Sequence, residues 1–532
     1  MKYFTSTYWK GQRLLLLAFL LLHVIVSSVY ISWQSITFDE KDYYGYSIKW
    51  LHGDVNRNDK IYDSKTPLVA IAAIPRMIKQ VSDPGYKATD NGTADILQGR
   101  YLMVLFTLIT AIYLFKWTRR LFGEKAWIVP LLFFLFDPLV LGFSMIITSD
   151  LASGTCLLAI AYHFYRFSIE KTSKHLLLFS AWLGIGVVCK ASLLYFVPCG
   201  AILILIQWIF SKAPFNLKQT LLHSLSCIII VLVIINLAYF GEGSFRTLSR
   251  SQFQSSSFQS LARTPFVKDI PVPLPYSYVQ GLDMLQFHGE IGAGHPESTH
   301  HGTFIGNASK EQGGFWYYYL YTGFYKIPIT TLLLIIIGVV ACFVQFRNEF
   351  LNKHIWYLIP FVFFFVILSC FNPFQSGFRH FLLIYPFCFL LIAAAISFMQ
   401  KKIRLTRSIT IAFLGYAFIS TALFFPWLIS YTNEFITDKK TVFRKLKDSS
   451  IDYGQNSSQL QKFIKDNPGL SPLTNMPAPG KYIVSAFHLI NYKDRYNASW
   501  LTKFEPVSHY QYSMFIFNIS EADINSIKKD QR

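Results

Sequence analysis

The sequence predicts an all-α polytopic membrane protein with about 11 transmembrane helices. Of its 532 residues, 52% are hydrophobic, 17% are aromatic and only 15% are charged. Runs of about 20 apolar residues recur along the chain, and each could cross the ~30 Å hydrocarbon core of a bilayer as a helix. The prediction also includes interfacial helices in the outer loops and a small α/β extracytoplasmic C-terminal domain.

The apolar runs give the positions of the predicted spans. The first run is too long for the apolar part of a typical signal peptide and lacks a small-residue cleavage site, so we expect a retained span. The spans are predicted at residues 13–33, 99–117, 126–143, 147–166, 175–189, 191–210, 220–240, 326–346, 355–371, 379–399 and 408–427.

The net charge of +19 indicates topology rather than nucleic-acid binding, because much of it lies in short loops between spans. Lys and Arg are concentrated in alternate loops, which predicts a cytoplasmic N-terminus. An odd number of spans then puts the C-terminus outside. Three long segments, 34–98, 241–314 and the tail from about 428, share the outer face. The predicted domains are a transmembrane domain, 1–427, and an extracytoplasmic domain, 428–532.

Two adjacent carboxylates, Asp39 and Glu40, follow the first span directly. Ionised groups are costly near a membrane and usually have a function there. Residues 41–51 are predicted to form an interfacial amphipathic helix, which would hold both carboxylates at the membrane surface. The alternative is that Asp39 and Glu40 only cap this helix, since acidic groups suit a helix N-terminus.

The outer segments contain further predicted elements. Residues 67–79 form a second candidate interfacial helix, and the aromatic run 315–319 marks a return to the membrane. In the tail, the alternating patterns of 482–486 and 513–519 predict β-strands.

Other charged residues fall at the same predicted membrane face. Asp150 opens the fourth span, Lys190 lies in the turn between the fifth and sixth, and Arg379 and His380 open the tenth. Lys190 and Arg379 could instead anchor the helices to lipid headgroups. Asp137, beside Pro138, is interpreted as a turn residue. Converging carboxylates and cations suit a reaction in which a carboxylate takes a proton from an acceptor while the cations hold a leaving phosphate.

The histidines of the second outer loop suggest a different chemistry. His288, His295, His300 and His301 lie near Glu290 and Glu297, but their spacing does not match a helical His-Glu-x-x-His zinc site. No metal ligands are assigned, and a divalent metal is left open as a cofactor. The seven cysteines lie in or beside apolar runs without CxxC spacing, which predicts neither disulfides nor a metal cage.

Several motifs spread along the chain resemble a known family. They are Phe38-Asp39-Glu40, Tyr62-Asp63-Ser64-Lys65-Thr66-Pro67-Leu68, Thr148-Ser149-Asp150, Lys190-Ala191-Ser192, Pro275-Tyr276, His295-Pro296, Gly314-Phe315-Trp316-Tyr317-Tyr318, Lys326-Ile327-Pro328, Gly377-Phe378-Arg379-His380 and Asp452-Tyr453-Gly454-Gln455. In order and topology they resemble the polyprenyl-phosphate-sugar-dependent glycosyltransferases of the GT-C superfamily. The most similar group is the protein O-mannosyltransferase and lipid A aminoarabinose transferase family. Ser64 and Thr66 depart from its usual Glu and Pro.

The resemblance implies transfer of a hexose or pentose from a polyprenyl-phosphate donor to a protein, lipid or glycan acceptor, with inversion. It implies a multi-pass protein of the bacterial inner membrane whose active site faces the periplasm or exterior, in contact with membrane lipids and not with nucleic acid. The implied catalytic residues are Asp39, Glu40 and Asp150, and the implied substrate-binding residues are Lys65, Lys190, Arg379, His380, Tyr276 and His295. The alternatives are a transporter or flippase whose pathway the same charges line, and a metallohydrolase that uses the outer histidines.

Overall fold

The structure is a computed structural model that describes residues 2–57, 65–87, 92–211, 216–290, 316–344, 349–372, 375, 377–446, 448–490 and 498–530. Most of these residues are helical. In chain order the α-helices are α1 (Lys2–Trp33), α2 (Glu40–Leu51), α3 (Ile74–Ser82), α4 (Thr93–Phe122), α5 (Ile128–Leu135), α6 (Pro138–Phe143), α7 (Ser149–Glu170), α8 (Ser173–Cys189), α9 (Phe196–Ser211), α10 (Leu217–Ala238), α11 (Ser256–Arg263), α12 (Tyr276–Glu290), α13 (Tyr318–Lys326), α14 (Ile329–Val344), α15 (Ile355–Val366), α16 (Tyr385–Lys402), α17 (Thr406–Phe424), α18 (Ser457–Asp466), α19 (Ala486–Ile490) and α20 (Glu521–Asp530).

Short 3-10 and π segments extend or interrupt these helices. The π segments Phe350–His354 and Ile367–Phe371 flank α15. The 3-10 segments are Pro67–Ala73, Ala191–Tyr195, Leu248–Arg250, Phe378–Leu383, Leu428–Ser430, Lys439–Arg444, Asp448–Ser450 and Ser499–Lys503.

Each predicted span coincides with one or more helices, but the predicted number of spans is not established. Within the described ranges, six helical segments are long and apolar enough to cross a membrane, and two apolar helices, α8 and α14, are shorter. The regions of α7 and α16 are not among them. Both helices are buried in the bundle along most of their length. A helix surrounded by protein can carry polar residues that lipid would exclude.

The third predicted span is broken at Asp137 and Pro138. The Asp137 carboxylate accepts hydrogen bonds from the backbone N–H groups of Leu139 and Val140, at 2.9 and 3.2 Å, and so caps α6. It also accepts a 2.7 Å bond from the Tyr385 hydroxyl. These bonds satisfy a buried carboxylate, which would otherwise be costly. The interpretation of Asp137 as a turn residue is confirmed.

The predicted interfacial helices are present with small changes. The first is α2, which begins one residue before the predicted range. The second is split, because residues 67–73 form a 3-10 helix before α3 begins. The 3-10 segment contributes five buried residues, including Val69 and Ala72, and packs between α2 and α4.

The tail contains a three-stranded sheet. The predicted strands appear as β1 (Gly480–Ser485) and β3 (Met514–Ile519), with β2 (Ser508–Tyr510) as a third member. The strand order is β1-β3-β2, and both pairs are antiparallel. A separate hydrophobic cluster that includes Phe443, Val484 and Phe515 lies between this sheet and its surrounding helices. The boundary of the predicted C-terminal domain stays a prediction.

Lys326 ties the tail to the helical bundle. Its side chain is fully buried, and its ammonium donates to the carbonyls of Ile429, Tyr431 and Ser450 at 2.8, 2.6 and 2.6 Å. Three carbonyl acceptors match the three donors of an ammonium group. This junction fixes the start of the tail beside the C-terminal end of α13.

Candidate active site

Asp39 lies between α1 and α2, and its carboxylate faces the bundle and the tail. Its Oδ2 accepts a 2.9 Å hydrogen bond from Arg379 Nη1 and a 2.6 Å bond from the Tyr453 hydroxyl. The side chain is still 34% exposed, so another molecule could reach it. Asp39 occupies the N-cap position of α2, but its side chain makes no capping hydrogen bond. The capping alternative is therefore wrong for Asp39.

These contacts set the ionisation of Asp39. Burial raises the pKa of its carboxyl, but the nearby charges of Arg379 and Lys65 and the Tyr453 hydrogen bond outweigh burial. The pKa therefore lies below its ordinary value, and Asp39 is an anion at neutral pH.

Asp150 lies in the first turn of α7, opposite Arg379 and His380. Its Oδ1 is 2.9 Å from Lys190 Nζ and 3.8 Å from His380 Nδ1, and its Oδ2 is 3.7 Å from Arg379 Nη1. Arg379 therefore lies between the two carboxylates, and one of its nitrogens is within ion-pair distance of both.

The close approach of α7 to the 3-10 segment Phe378–Leu383 makes this cluster possible. Gly154 lies one turn after Asp150, and a Cβ at this position would collide with the backbone oxygen of Leu382. Glycine therefore lets the two backbones meet, as in other tight helix contacts. The contact brings Arg379 and His380 alongside Asp150.

Lys65 reaches the same region from just before the 3-10 segment Pro67–Ala73. Its ammonium lies 4.4 Å from the centre of the Tyr43 ring, in cation–π contact. The Tyr43 hydroxyl is 3.5 Å from Ser149 Oγ, next to Asp150. Lys65 also contributes to the lowered pKa of Asp39. The structure thus brings together five of the predicted site residues, namely Asp39, Asp150, Lys190, Arg379 and His380, with Lys65 beside them.

Glu40 belongs to a different, sealed environment. Its carboxylate pairs with Arg100 through bonds of 2.9 Å from Nε and 2.6 Å from Nη2, and neither side chain is exposed. Glu40 also accepts from the backbone N–H groups of Thr37 and Ile147. Four donors fill a carboxylate that has about four lone-pair sites. This geometry favours a positioning role over contact with an acceptor, and the catalytic role of Glu40 stays a prediction.

Tyr453 is a member of the site that motif analysis did not select. Its hydroxyl bonds to Asp39, and its ring lies under Arg379, with 4.5 Å from the guanidinium carbon to the ring centre. Burial raises the pKa of Tyr453 well above its ordinary value, so the hydroxyl keeps its proton and donates it. The motif 452–455 was noted in the sequence, but nothing local indicated that its tyrosine reaches Asp39.

Backbone contacts hold Tyr453 against the loop that carries Asp39. The N–H of Ser35 donates to Gln455 O at 2.9 Å, and that of Phe38 donates to Tyr453 O at 3.0 Å. Gly454, with φ of +82°, packs on the Phe38 ring, and an added Cβ would lie 2.9 Å from that ring. A left-handed backbone and this close contact together favour glycine. The tail thus completes the site.

Two of the predicted substrate-binding residues, Tyr276 and His295, are not observed within the Asp39 and Asp150 cluster. Tyr276 begins α12, where it stacks with Arg246 at 4.6 Å and its hydroxyl is 3.4 Å from Gln252 O. None of these polar contacts is with the Asp39 and Asp150 cluster. His295 lies outside the described residues, as do His300, His301 and Glu297.

The described residues contain no group of three or more His, Cys, Asp or Glu side chains that could hold a metal ion. Asp39 and Asp150 are each paired with cations instead. The site as described does not fit a metal, and the divalent metal and the metallohydrolase alternative stay predictions.

Comparison with known proteins finds a similarity over part of the chain. Residues 92–239 match the sequence model of a family described as dolichyl-phosphate-mannose-protein mannosyltransferase. This segment runs from the start of α4 to the end of α10 and includes Asp150 and Lys190. The match supports the resemblance to GT-C glycosyltransferases that the motifs predicted. No curated protein matches the chain.

Solved structures give weaker likenesses. ArnT from Cupriavidus metallidurans in the apo state has a TM-score of 0.49 at 13% identity, covering 79% of this chain and 65% of that chain. The same protein bound to undecaprenyl phosphate has a TM-score of 0.47 at 13% identity, with 79% and 71% covered. The apo oligosaccharyltransferase of Archaeoglobus fulgidus has a TM-score of 0.48 at 11% identity, with 87% and 58% covered. The chain thus spans slightly less than two thirds of the length of apo ArnT.

Proposed function

We propose that this protein is an integral-membrane glycosyltransferase that uses a polyprenyl-phosphate sugar. The sugar is transferred with inversion to an acceptor on the extracytoplasmic face, and the acceptor is a protein hydroxyl, a lipid or a glycan. The observation that carries this proposal is the convergence of Asp39 and Asp150 with Arg379, Lys190 and Lys65.

The charges of this cluster suit a phosphate-linked donor. Three basic side chains, Lys65, Lys190 and Arg379, accompany two carboxylates, Asp39 and Asp150, so the formal charges leave one positive charge in excess. An anionic donor would balance it. Arg379 has the planar, forked donor geometry that suits phosphate, whereas lysine acts as a point charge.

In the proposed reaction Asp39 acts as general base. The acceptor oxygen forms a bond to the anomeric carbon of the sugar, and the bond from that carbon to the donor phosphate oxygen breaks. The acceptor proton passes to Asp39, and the polyprenyl phosphate leaves with the bonding electrons. A single displacement of this kind inverts the anomeric centre. The cations stabilise the charge that develops on the departing phosphate.

Arg379 would couple donor binding to the strength of the base. While Arg379 pairs with Asp39, it helps to hold the pKa of the carboxyl below its usual range, which makes Asp39 a weak base. A donor phosphate that attracts the guanidinium would weaken this pair. The pKa of Asp39 would then rise when the donor is in place.

The transporter or flippase alternative needs polar groups at several depths of the bundle. The central helix α7 carries Asp150 at its start, but residues 151–162 contain no charged side chain. This distribution favours a site at one end of the helices. The Lys and Arg pattern of the loops supports the extracytoplasmic side, and the motif resemblance supports a bacterial inner membrane.

The test is an assay of membranes that contain the protein with a panel of radiolabelled polyprenyl-phosphate sugars. We expect label from one donor to become covalently attached to an acceptor, and Asp39→Asn and Asp150→Asn to reduce this attachment strongly. Asp54→Asn is a matched control, because Asp54 is an exposed carboxylate in the same outer loop. Label that crosses the membrane without covalent attachment would support a transporter instead.

A further inference from the structure

A small folded unit follows α10 in the second outer loop. Residues 245–250 and 268–272 run antiparallel, with Phe245 N bonded to Val272 O at 2.7 Å and Ser249 N to Lys268 O at 2.9 Å. Helix α11 lies in the connection between them. The unit has its own hydrophobic cluster around Leu248, Phe253 and Val279.

Large apolar side chains nevertheless remain outside this cluster. Phe240 is 55% exposed, Phe245 is 68% exposed and Phe266 is 90% exposed. Leu261 and Ile270 are exposed as well. Exposed apolar side chains concentrated in one segment indicate contact with a partner or a membrane.

The same three phenylalanines have unusual backbones. Their φ angles are +54° at Phe240, +64° at Phe245 and +67° at Phe266. Positive φ is uncommon for bulky residues, and it persists only where the surrounding structure fixes it. The unit therefore holds each exposed ring on a constrained backbone.

The segment is also basic. Between residues 240 and 270 there are four cations and two carboxylates. Arg246 stacks on Tyr276 and donates to the Arg250 carbonyl. The side chains of Arg250, Arg263 and Lys268 are exposed. A surface with exposed aromatic rings and excess positive charge complements the phosphate layer and the upper acyl region of a bilayer.

The unit begins at the end of a candidate membrane span. Helix α10, which is long and apolar enough to cross a membrane, ends at Ala238. The Trp50 indole donates to Ala238 O at 2.7 Å, and its ring lies 5.3 Å from the Phe240 ring. Paired aromatic residues at the end of a span are typical of the membrane interface.

We propose that the segment 240–270 docks on the outer surface of the bilayer. Phe245 and Phe266 enter the interface alongside Phe240, and Arg250, Arg263 and Lys268 contact lipid phosphates. This docking does not depend on which reaction the protein catalyses.

The experiment measures the depth of single fluorescent probes on the full-length protein in nanodiscs. Thiol-reactive NBD is attached to Phe266→Cys in a Cys370→Ser background, because Cys370 is an exposed free cysteine. Leu237→Cys, on the exposed surface of α10, is the lipid-facing reference, and Lys481→Cys, on β1, is the water-facing reference. Nitroxide-labelled lipids quench probes in the bilayer, and iodide quenches probes in water.

We expect the probe at position 266 to be quenched by nitroxide lipids like the probe at 237 and to be protected from iodide. Quenching by nitroxide lipids should be stronger with phosphatidylglycerol than with phosphatidylcholine, and the combined Arg250→Gln, Arg263→Gln and Lys268→Gln variant should lose this difference. A probe at 266 that behaves like the probe at 481 would overturn the proposal. Protection from iodide without nitroxide quenching would overturn it too, because a protein would then cover the segment.

Discussion

Asp39 and Glu40 are neighbours in the sequence, yet they lie in opposite environments. Each carboxylate pairs with an arginine, Asp39 with Arg379 at 2.9 Å and Glu40 with Arg100 at 2.6 Å. The Glu40 pair is completely buried, whereas the Asp39 side chain is 34% exposed. The two pairs therefore differ in access rather than in chemistry.

The difference shows how one stretch of chain can serve structure and reactivity together. Glu40 and Arg100 bind the loop to α4, since Arg100 also donates to the carbonyls of Gln34 and Ser35 at 3.2 and 2.7 Å. This sealed pair fixes the direction of the preceding residue, Asp39. Asp39 keeps one carboxylate oxygen without a hydrogen bond to Arg379 or Tyr453, because both bond to Oδ2.

The largest expected effect is on stability, from Glu40→Gln. Removal of this charge leaves Arg100 buried without its counter-ion, which should cost about 3–5 kcal/mol. The change in stability is measured by heating the detergent-solubilised protein and recording the folded fraction at each temperature. The exposed control Asp54→Asn should change the free energy of unfolding by less than about 0.5 kcal/mol. Equal melting temperatures for Glu40→Gln and Asp54→Asn would show that the ion pair of Glu40 and Arg100 does not stabilise the fold.

The next effect is on turnover, from Asp39→Asn. Asn cannot take a proton, so turnover should fall about 10²-fold or more, as expected for loss of a general base. The melting temperature should fall far less than in Glu40→Gln, because Asp39 is partly exposed and caps no helix. Measurement of sugar transfer and melting on the same preparation separates the two roles. Near wild-type transfer would remove Asp39 as the base.

Arg379→Lys tests whether geometry or charge matters at the open pair. Lysine keeps the charge but lacks the planar, forked guanidinium group with which arginine can contact Asp39, Asp150 and a phosphate. We expect kcat/KM for the donor to fall about tenfold, on the scale of a lost charge-assisted hydrogen bond. Arg246→Lys, in the segment between α10 and α11, is the matched control. An unchanged donor kcat/KM in Arg379→Lys would indicate that Arg379 only anchors its helix.

Tyr453→Phe should change the pH dependence of transfer. Loss of the hydroxyl removes a hydrogen bond that lowers the pKa of Asp39, so this pKa should rise. Because the base must be ionised, the acid limb of the kcat/KM profile should move to higher pH. The pKa of Asp39 is lower in the folded protein than in the unfolded chain, so ionised Asp39 stabilises the fold. This stabilisation is present above the pKa of the unfolded chain and is lost as the pH falls through the pKa of the folded protein. An acid limb at the wild-type position would contradict this role.

The smallest effect is expected from Tyr276→Phe. Tyr276 contacts Arg246 and Gln252 rather than the carboxylate pairs. Loss of its exposed hydroxyl should change transfer by less than about twofold. A larger loss in the same assay would show that α12 reaches the substrate and that the open site extends to this helix.

Local patterns in the sequence predicted much of the fold. Apolar runs and their period predicted the bundle helices, the amphipathic pattern after Asp39 predicted α2, and alternation predicted β1 and β3. Motifs also selected Asp39, Asp150, Lys190 and Arg379, which the structure brings together. These features depend on residue type and close spacing, which a single sequence displays directly.

Tertiary structure alone decided how the adjacent carboxylates divide their roles. Glu40 meets a partner 60 residues away in Arg100, whereas Asp39 meets Arg379 and Tyr453 across 340 and 414 residues. Similarly, Lys326 binds carbonyls more than 100 residues further along the chain. No local pattern encodes such contacts, because they form only when the helices and the tail pack against one another. The same packing decides which carboxylate is sealed from water.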